Sequence, residues 1–390
     1  MGVMRVERGR VADWTAKSSG AAWRAFDPQL TIYAVLLICI GLAMAYSNSA
    51  VDGTALEAGT TFTRGLLWFA IAVVVFSLAT AFDYAWLKAF AWPLYFVNLA
   101  LLGATLVIGV GVGGSARWVS FFGLQFQFSE LAKILTIVML ANYLSSRWGK
   151  LDSLVSILGA CLLVGPSWVL VMAQPDLGTS LVFAAILAGM LFMSGASLRW
   201  LGVLAGLVVA AIPLVYEYLL QPYQKQRVIT FLDPAADPQG SGYQLLQSQI
   251  AIGSGGLFGK GLTNGTQSGL DFLPVQTTDF VFALVGEELG FVGALLVFLL
   301  FAALTWRILV TGWRSRDPFG LLFSSGIASM LLFQLTVNVG MVIGIMPITG
   351  IPLPFLSYGG SSMLASFIAI QNNIITYGIG GIKGYDSICL

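Results

Sequence analysis

The sequence predicts an all-α integral membrane protein of ten transmembrane helices. Both termini are cytoplasmic, and a long extracytoplasmic loop joins the seventh helix to the eighth. Three observations predict this. Hydrophobic residues make up 57% of the 390 and charged ones only 9%, with mean hydropathy +0.87, too little polar surface for a water-soluble protein of this length. Apolar runs of spanning length recur along the chain, broken by short polar text. Finally, of 19 basic residues, all but Arg64, Arg117, Lys133, Lys225, Arg227 and Lys260 fall on one side, which the positive-inside rule makes cytoplasmic.

Taken in order, residues 1–28 form a cytoplasmic tail bearing Arg5, Arg8, Arg10, Lys17 and Arg24. Residues 29–380 form a single polytopic membrane domain, and 381–390 a cytoplasmic C-terminal tail. The first span, about 30–47, contains Ala43-Met44-Ala45, which imitates a signal-peptidase site. It starts after a long basic stretch and many spans follow, so it reads as a retained helix. Further spans fall at about 65–81, 89–111, 129–144, 153–172, 179–194, 200–219, 280–305, 320–345 and 361–377. Residues 115–128 (SARWVSFFGLQFQF) carry aromatics suited to an interfacial lie, and Ser129 is a good N-cap for the fourth span. Gln174 to Gly178 forms an outer corner, 221–278 the long outer loop, and Pro347 to Phe355 a rigid outer turn.

Composition also removes whole classes of chemistry. With no histidine, zinc sites of the usual kind and Ser-His or Cys-His catalysis are excluded. Cys39 and Cys161 lie in apolar runs and Cys389 is penultimate, so no disulfide framework is expected. A formal charge of +1 argues against a nucleic-acid partner. Carboxylates, Lys, Arg, Tyr or an oxygen-held metal remain.

The stretch from Gly240 to Gly293 concentrates what is left: Lys260, Asp271, Asp279, Glu287, Glu288 and a glycine cluster running into an apolar helix. Ionisable groups at membrane depth are functional candidates, because hydrocarbon penalises each by a few kcal/mol (about 2.5–3.5 at a helix centre). Asp279 has two readings, a helix-start acid favoured by the dipole and a general base. Of the adjacent Glu287 and Glu288, at most one faces the site. Arg117, Lys133, Lys225, Arg227 and Lys260 ring the outer face, a pattern that fits a phosphate-bearing, membrane-borne substrate. Each has a plainer reading. Glu130 and Lys133, three apart on one helical face, equally form a structural ion pair. Lys225 and Arg227 equally snorkel to headgroups. The glycines lack the spacing of a nucleotide loop.

Five stretches then stand in one order: RWVSFFGLQFQFSELAK, AQPDLGTS, YQKQRVITFLDPAADPQGSGYQLLQSQIAIGSGGLFGKGLTNGTQ, FLPVQTTDFVFALVGEELGFVG and MPITGIPLPFLSYGGSS. Over about residues 30–370 this text resembles the SEDS family (shape, elongation, division, sporulation), and its GTQ at Gly265 to Gln267 is the RodA-like form. The resemblance implies ten spans and a peptidoglycan glycosyltransferase of the bacterial plasma membrane. It polymerises lipid II at the outer face during cell elongation. The family's catalytic aspartate corresponds to Asp279, its Arg-Trp arginine to Arg117, and its Glu/Lys pair to Glu130 and Lys133. Lys225, Arg227, Lys260 and Gln267 complete the expected substrate-binding set. A class B penicillin-binding protein (a transpeptidase) and the elongation machinery are the implied partners. Where the family often has Pro-Glu-x-His-Thr-Asp, this chain has Pro274-Val275-Gln276-Thr277-Thr278-Asp279, so the aspartate stands without that Glu and His. The tail after Ile370 departs from the family and is assigned nothing.

In the expected reaction Asp279 deprotonates the sugar 4-hydroxyl of an acceptor lipid II as it attacks the anomeric carbon of the growing glycan. Undecaprenyl diphosphate leaves, its charge stabilised by Arg117, Lys133, Lys225, Arg227 or a divalent cation such as Mg or Mn, which the sequence does not identify. The competing reading is a transporter or flippase for the lipid-linked precursor. It needs polar residues through the midplane and favours inverted repeats. Here the ionisable groups gather at the outer face and no repeat shows.

Overall fold

The structure, a computed structural model, describes residues 27–50, 55–57, 59–79, 84–112, 115–121, 124–269, 277–315 and 317–381. Of the tails expected at 1–28 and 381–390, residues 1–26 and 382–390 lie outside the described residues, as do Asp271 and the Pro274 to Gln276 departure. Eight described helices are long and apolar enough to cross a membrane. They are α1 (Pro28–Ala50), α2 (Thr61–Ala79), α4 (Ala91–Ile108), α5 (Phe128–Ser145), α6 (Leu154–Ala173), α8 (Leu198–Tyr218), α13 (Gly290–Trp313) and α14 (Pro318–Val342). Two shorter apolar helices join them: α7 (Leu177–Met193) and the first half of α15 (Gly360–Gly381). A short α3 (Tyr84–Ala89) precedes α4. The core lies along α14 and α5, the most buried of the spans, whereas α8 buries none of its residues against the protein.

Three features differ from the expectation. Residues 110–112, 115–121 and 124–126 form a three-stranded antiparallel sheet, β1 (Val110–Val112), β2 (Ser115–Phe121) and β3 (Leu124–Phe126), where the all-α expectation had no strand. Val119 opposes Phe126 and Phe121 opposes Leu124. Aromatic and β-branched residues suit a pleated ladder, and pairing satisfies backbone groups that a lone extended strand would leave bare. The segment expected as the outer loop also carries helices α9 (Pro222–Leu232), α10 (Ser241–Gly255) and α11 (Thr266–Gly269).

The third difference is the expected span from 280, which is broken. Helix α12 (Val281–Glu288) stops at Leu289, and α13 begins at Gly290, whose φ is +67°. A break orphans carbonyls on one side and N–H groups on the other. The glycine-rich turn after α10 meets them. The N–H groups of Lys260 and Gly261 donate to the Glu287 and Glu288 carbonyls, both at 3.0 Å. Those of Phe291 and Val292 donate to Gly256 and Leu257 carbonyls at 2.9 and 3.1 Å. Such close backbone contact leaves no room for side chains: a Cβ on Gly259 would sit 2.1 Å from the Glu288 oxygen, and one on Gly290 2.2 Å from the Gly259 nitrogen. The glycine cluster is thus a backbone interlock, not an anion nest.

At the opposite ends of the bundle, buried Asp27 accepts from Gln29 N–H at 3.1 Å and pairs with Arg307 of α13 at 2.5 Å. Lys88 of α3 pairs with Asp317 at 2.7 Å.

The interlock predicts that Gly290→Ala lowers stability by about 3 kcal/mol or more, combining left-handed strain with overpacking. Thermal unfolding in detergent reads this. Gly103→Ala, whose added methyl meets nothing within 4 Å, should leave the midpoint unchanged or raised. A Gly290→Ala melt that superimposes on wild type would mean the turn tolerates a side chain there.

Candidate active site

The segment Thr277 to Asp279 is held along its backbone. Tyr358 N–H donates to the Thr277 carbonyl at 2.8 Å. The Ser357 hydroxyl donates to that of Thr278 at 2.6 Å, and the Asn338 amide of α14 to that of Asp279 at 2.9 Å. Three successive carbonyls are thereby fixed, and the half-buried Asp279 side chain projects from a strap that cannot twist freely.

Two guanidinium groups approach it from different elements. Arg227 on α9 donates to the Ile348 carbonyl at 3.2 Å and lies over the Tyr223 ring, 5.7 Å from its centre. Gly350, at φ +71°, turns the chain beneath both charged tips: a Cβ there would sit 3.4 Å from Asp279 Oδ2 and 3.8 Å from an Arg227 guanidinium nitrogen. Arg117 on β2 pairs with buried Asp176 at 3.3 Å, while its Nε is buried without a partner among the described residues. Asp176 caps α7, accepting from the Thr179 N–H at 3.0 Å and hydroxyl at 2.8 Å, and also takes the Gln127 amide at 3.0 Å. Arg117, Asp176, Tyr223, Arg227, Ile348 and Thr349 line one cleft.

Burial pushes the Asp279 carboxyl above the ordinary carboxylate value, because desolvation disfavours its charged form. Arg117 and Arg227 pull it back, as does a hydrogen bond from Thr278, and Asp176 adds to the upward push. Burial likewise lowers the Arg227 guanidinium, and Asp279 opposes this most strongly. Among the described residues neither arginine closes a direct ion pair with Asp279. Arg117 leans on Asp176 and Arg227 on a carbonyl, so neither guanidinium occupies the Asp279 carboxylate.

The other expected residues divide differently. Glu130 and Lys133 form a fully buried pair in the first turns of α5, with Lys133 reaching both carboxylate oxygens at 2.8 and 2.9 Å. Gln127, one residue before α5, links that helix start to Asp176 and Ser129. Lys225 turns back to α8, bonding the Glu217 carbonyl at 2.9 Å and sitting over Tyr216. Lys260 and Gln267 gather instead on buried Glu287. Its Oε1 accepts from Lys260 Nζ at 2.8 Å, Thr266 N–H at 2.7 Å and Gln267 N–H at 2.9 Å. Neighbouring Glu288 accepts from Ser47 of α1 at 2.6 Å. Both glutamates therefore tie residues 260–267 and α1 to the helix break. Sequence reasoning missed Asp176, although an acid in the QPDLGT corner raises the same desolvation question as Asp279. It also missed Asn338, Ser357 and Tyr223, neutral residues with no signal beyond their polarity.

A resident divalent cation does not fit this donor set. Two guanidinium groups stand near Asp279 and Asp176, and the Asp176 oxygens are already engaged by Thr179, Gln127 and Arg117. No group of three or more acidic, His or Cys side chains converges among the described residues.

A bundle of membrane-length helices with an acid and two arginines converging at one end of it defines a multi-pass membrane protein with a polar site. A family model described as cell cycle protein, covering FtsW, RodA and SpoVE, matches residues 28–375, and the chain belongs to that family. It is 39% identical over 338 residues to peptidoglycan glycosyltransferase MrdB of Escherichia coli K12, covering 87% of this chain and 90% of that one. It is 37% identical over 360 residues to stage V sporulation protein E of Bacillus subtilis 168, covering 88% and 94%. The crystal structure of Thermus thermophilus rod shape determining protein RodA superposes with TM-score 0.68 at 28% identity, covering 92% of this chain and 99% of that one. A chain from a peptidoglycan synthase complex that coordinates polymerization and crosslinking reaches 0.76 at 30% identity, covering 91% and 98%.

Asp176 carries the cleft's scaffold, so Asp176→Ala should cost about 3–5 kcal/mol, the range for stripping one partner from a buried charged pair. Asp176→Asn, which keeps an acceptor for Thr179, should cost less. Chemical or thermal denaturation of the two variants checks the order, and equal stability of Asp176→Ala and wild type would contradict it.

Proposed function

We propose that Asp279 is the general base of a glycan-strand polymerase acting on lipid II at the outer face of the bacterial plasma membrane. The chain is a peptidoglycan glycosyltransferase, as MrdB is named, and the likeness to MrdB and to RodA supports the RodA type. The observation that carries the base assignment is the convergence at Asp279: a half-buried carboxylate unpaired by either of two nearby arginines, each of which is anchored elsewhere.

Asp279 accepts the proton of the acceptor sugar's 4-hydroxyl as that oxygen bonds to the donor's anomeric carbon. The bond from that carbon to the diphosphate oxygen breaks, and undecaprenyl diphosphate departs with the electron pair. Arg117, with its spare Nε, and Arg227 face the developing charge, as preorganised donors in a water-poor site should. Glu130 and Lys133 hold the start of α5 behind Gln127 and Asp176. Lys225, two residues before Arg227, meets headgroup phosphates at the rim, and Lys260 and Gln267 shape the loop that leads to Asp279. A Mg or Mn ion, where one takes part, arrives on the substrate diphosphate.

The proposed topology is ten spans, the eight long helices plus α7 and α15, with both termini cytoplasmic and 221–278 outside. Exposed Trp86, Trp92, Trp148, Trp306 and Trp313 support it. They lie on the segments that carry Lys88, Arg147, Arg307 and Arg314, as an inner interfacial belt would. A class B penicillin-binding protein is the proposed partner, supported by the likeness to a chain of a peptidoglycan synthase complex.

Lipid II polymerisation by purified protein, with and without the transpeptidase, tests the reading. Wild type should form glycan strands, and Asp279→Asn should lose about 10²-fold or more, the scale of general-base catalysis. Normal folding with full activity in Asp279→Asn would remove the base, and no strands from wild type would favour transport. The pH profile gives an independent check. The base works only when deprotonated, and burial makes Asp279 hold its proton to higher pH than an exposed aspartate. Activity should therefore fall on acidification at a higher pH than an ordinary carboxylate would give. Arg227→Gln removes a charge that lowers this value, so it should move the acid limb further up. A downward or absent shift would break the link between Arg227 and Asp279.

A further inference from the structure

Asn338 lies deep in α14, fully buried, and both hydrogens of its amide are used. One goes to the Asp279 carbonyl and the other to the Ile351 carbonyl, each at 2.9 Å. The assignment of nitrogen and oxygen follows from chemistry: the flipped amide would set its oxygen against two carbonyl oxygens. In the observed orientation Oδ1 is buried and has no partner among the described residues. A buried side chain kept for packing alone would be better served by an apolar residue, which leaves no orphan acceptor. What the amide does hold is specific. Ile351 ends the turn whose Ile348 carbonyl receives Arg227, and Gly350 of that turn lies beneath both Asp279 and Arg227. One side chain thus ties the backbone of the carboxylate to the turn supporting the cation that faces it.

We propose that Asn338 is a positioning residue for the glycosyl transfer. It locks the Thr277–Asp279 strap to the Ile348–Ile351 turn, so that the Asp279 oxygens and the Arg227 guanidinium keep a fixed separation while the acceptor hydroxyl and the leaving diphosphate bind between them. Ser357 is the second clasp on the same strap: its hydroxyl donates to the Thr278 carbonyl at 2.6 Å and accepts from Leu353 N–H at 2.7 Å. This role rests on Asp279 being the base. It involves no contact between Asn338 and substrate, so loss of the amide should slow turnover and leave substrate affinity intact.

The control is a second buried amide with no link to the site. Asn98 of α4 donates to the Thr136 and Ser167 hydroxyls, both at 3.3 Å, and joins α4, α5 and α6. The same substitution at both positions separates lost stability from lost geometry. Full-length protein with its transpeptidase partner is assayed on lipid II for kcat and KM, alongside thermal unfolding, as wild type, Asn338→Leu, Ser357→Ala, Asn98→Leu and Asp279→Asn.

Asn338→Leu is expected to lower kcat by about 100-fold, the scale of an ångström-level misplacement, with KM within about threefold. Ser357→Ala should lower kcat by about tenfold in the same pattern, with one clasp left in place. Asn98→Leu should lower the unfolding midpoint at least as far as Asn338→Leu and keep kcat within about twofold. If Asn338→Leu does not accumulate as folded protein, Ser357→Ala decides by the same criteria. A kcat for Asn338→Leu near wild type overturns the proposal, as does a raised KM with kcat kept, or an equal kcat loss in Asn98→Leu. An inactive Asp279→Asn beside an active Asn338→Leu overturns the positioning role alone. Full activity in Asp279→Asn overturns the base, and the positioning role with it.

Discussion

A helix broken beside the hydrocarbon core must have its orphaned backbone groups satisfied from within the protein, and the rest of the site hangs on how this chain does so. Each unsatisfied amide or carbonyl in apolar surroundings costs several kcal/mol (about 2–7). At the break between α12 and α13 the turn after α10 meets four such groups through backbone alone. That solution requires glycine on both sides, because the two chains approach closer than any Cβ allows. Glu287 and Glu288 reinforce the joint with their side chains, gripping residues 260–267 and Ser47. With the break secured, α12 need not continue the line of α13. The segment before it can run under the 348–358 loop, where Tyr358, Ser357 and Asn338 take its carbonyls.

The ionisable groups sort by what surrounds them. Asp27, Asp176, Glu130, Glu287 and Glu288 are buried, and each meets donors at hydrogen-bonding distance. These acids hold helix ends together, and truncating one would strand a charge. Asp279 is different. Its carbonyl, not its carboxylate, carries the structural bonds, and the carboxylate sits between desolvation and two held-off cations.

Much of the fold was legible in the sequence because hydropathy decides spans almost alone: mean hydropathies near 2 leave α1, α6 and α13 no aqueous alternative. The β1–β3 sheet was not legible. Its aromatics suit an interfacial lie and a ladder alike, and strand pairing is a non-local fact. The break at Gly290 was hidden for a related reason. VGEELGFVG reads as continuous helix, and the positive φ is tolerable only where the distant 255–261 turn supplies partners. For the site, charge at the outer face pointed to Arg117, Arg227 and Asp279, which do converge. The same argument drew in Lys260, because a sequence shows a charge but not the partner that claims it. Asn338 left no trace, since a lone amide in an apolar helix reads as interhelical packing, as Asn98 in fact is.

The arrangement of the two arginines has a chemical logic that a simple ion pair would defeat. Were Arg117 or Arg227 to close directly on Asp279, the carboxylate would lose both its proton affinity and the free lone pair that a base needs. Asp176 prevents this for Arg117 by holding one guanidinium nitrogen and leaving Nε over. The Ile348 carbonyl does so for Arg227, within the turn that Asn338 fastens to Asp279. In the proposed reaction the cations therefore remain available for charge that appears only when the diphosphate leaves. Their distance from the base is set by backbone and amide bonds rather than by attraction. Preorganisation of this kind favours the transition state over the ground state, since the strongest attraction arises only as the leaving group becomes charged.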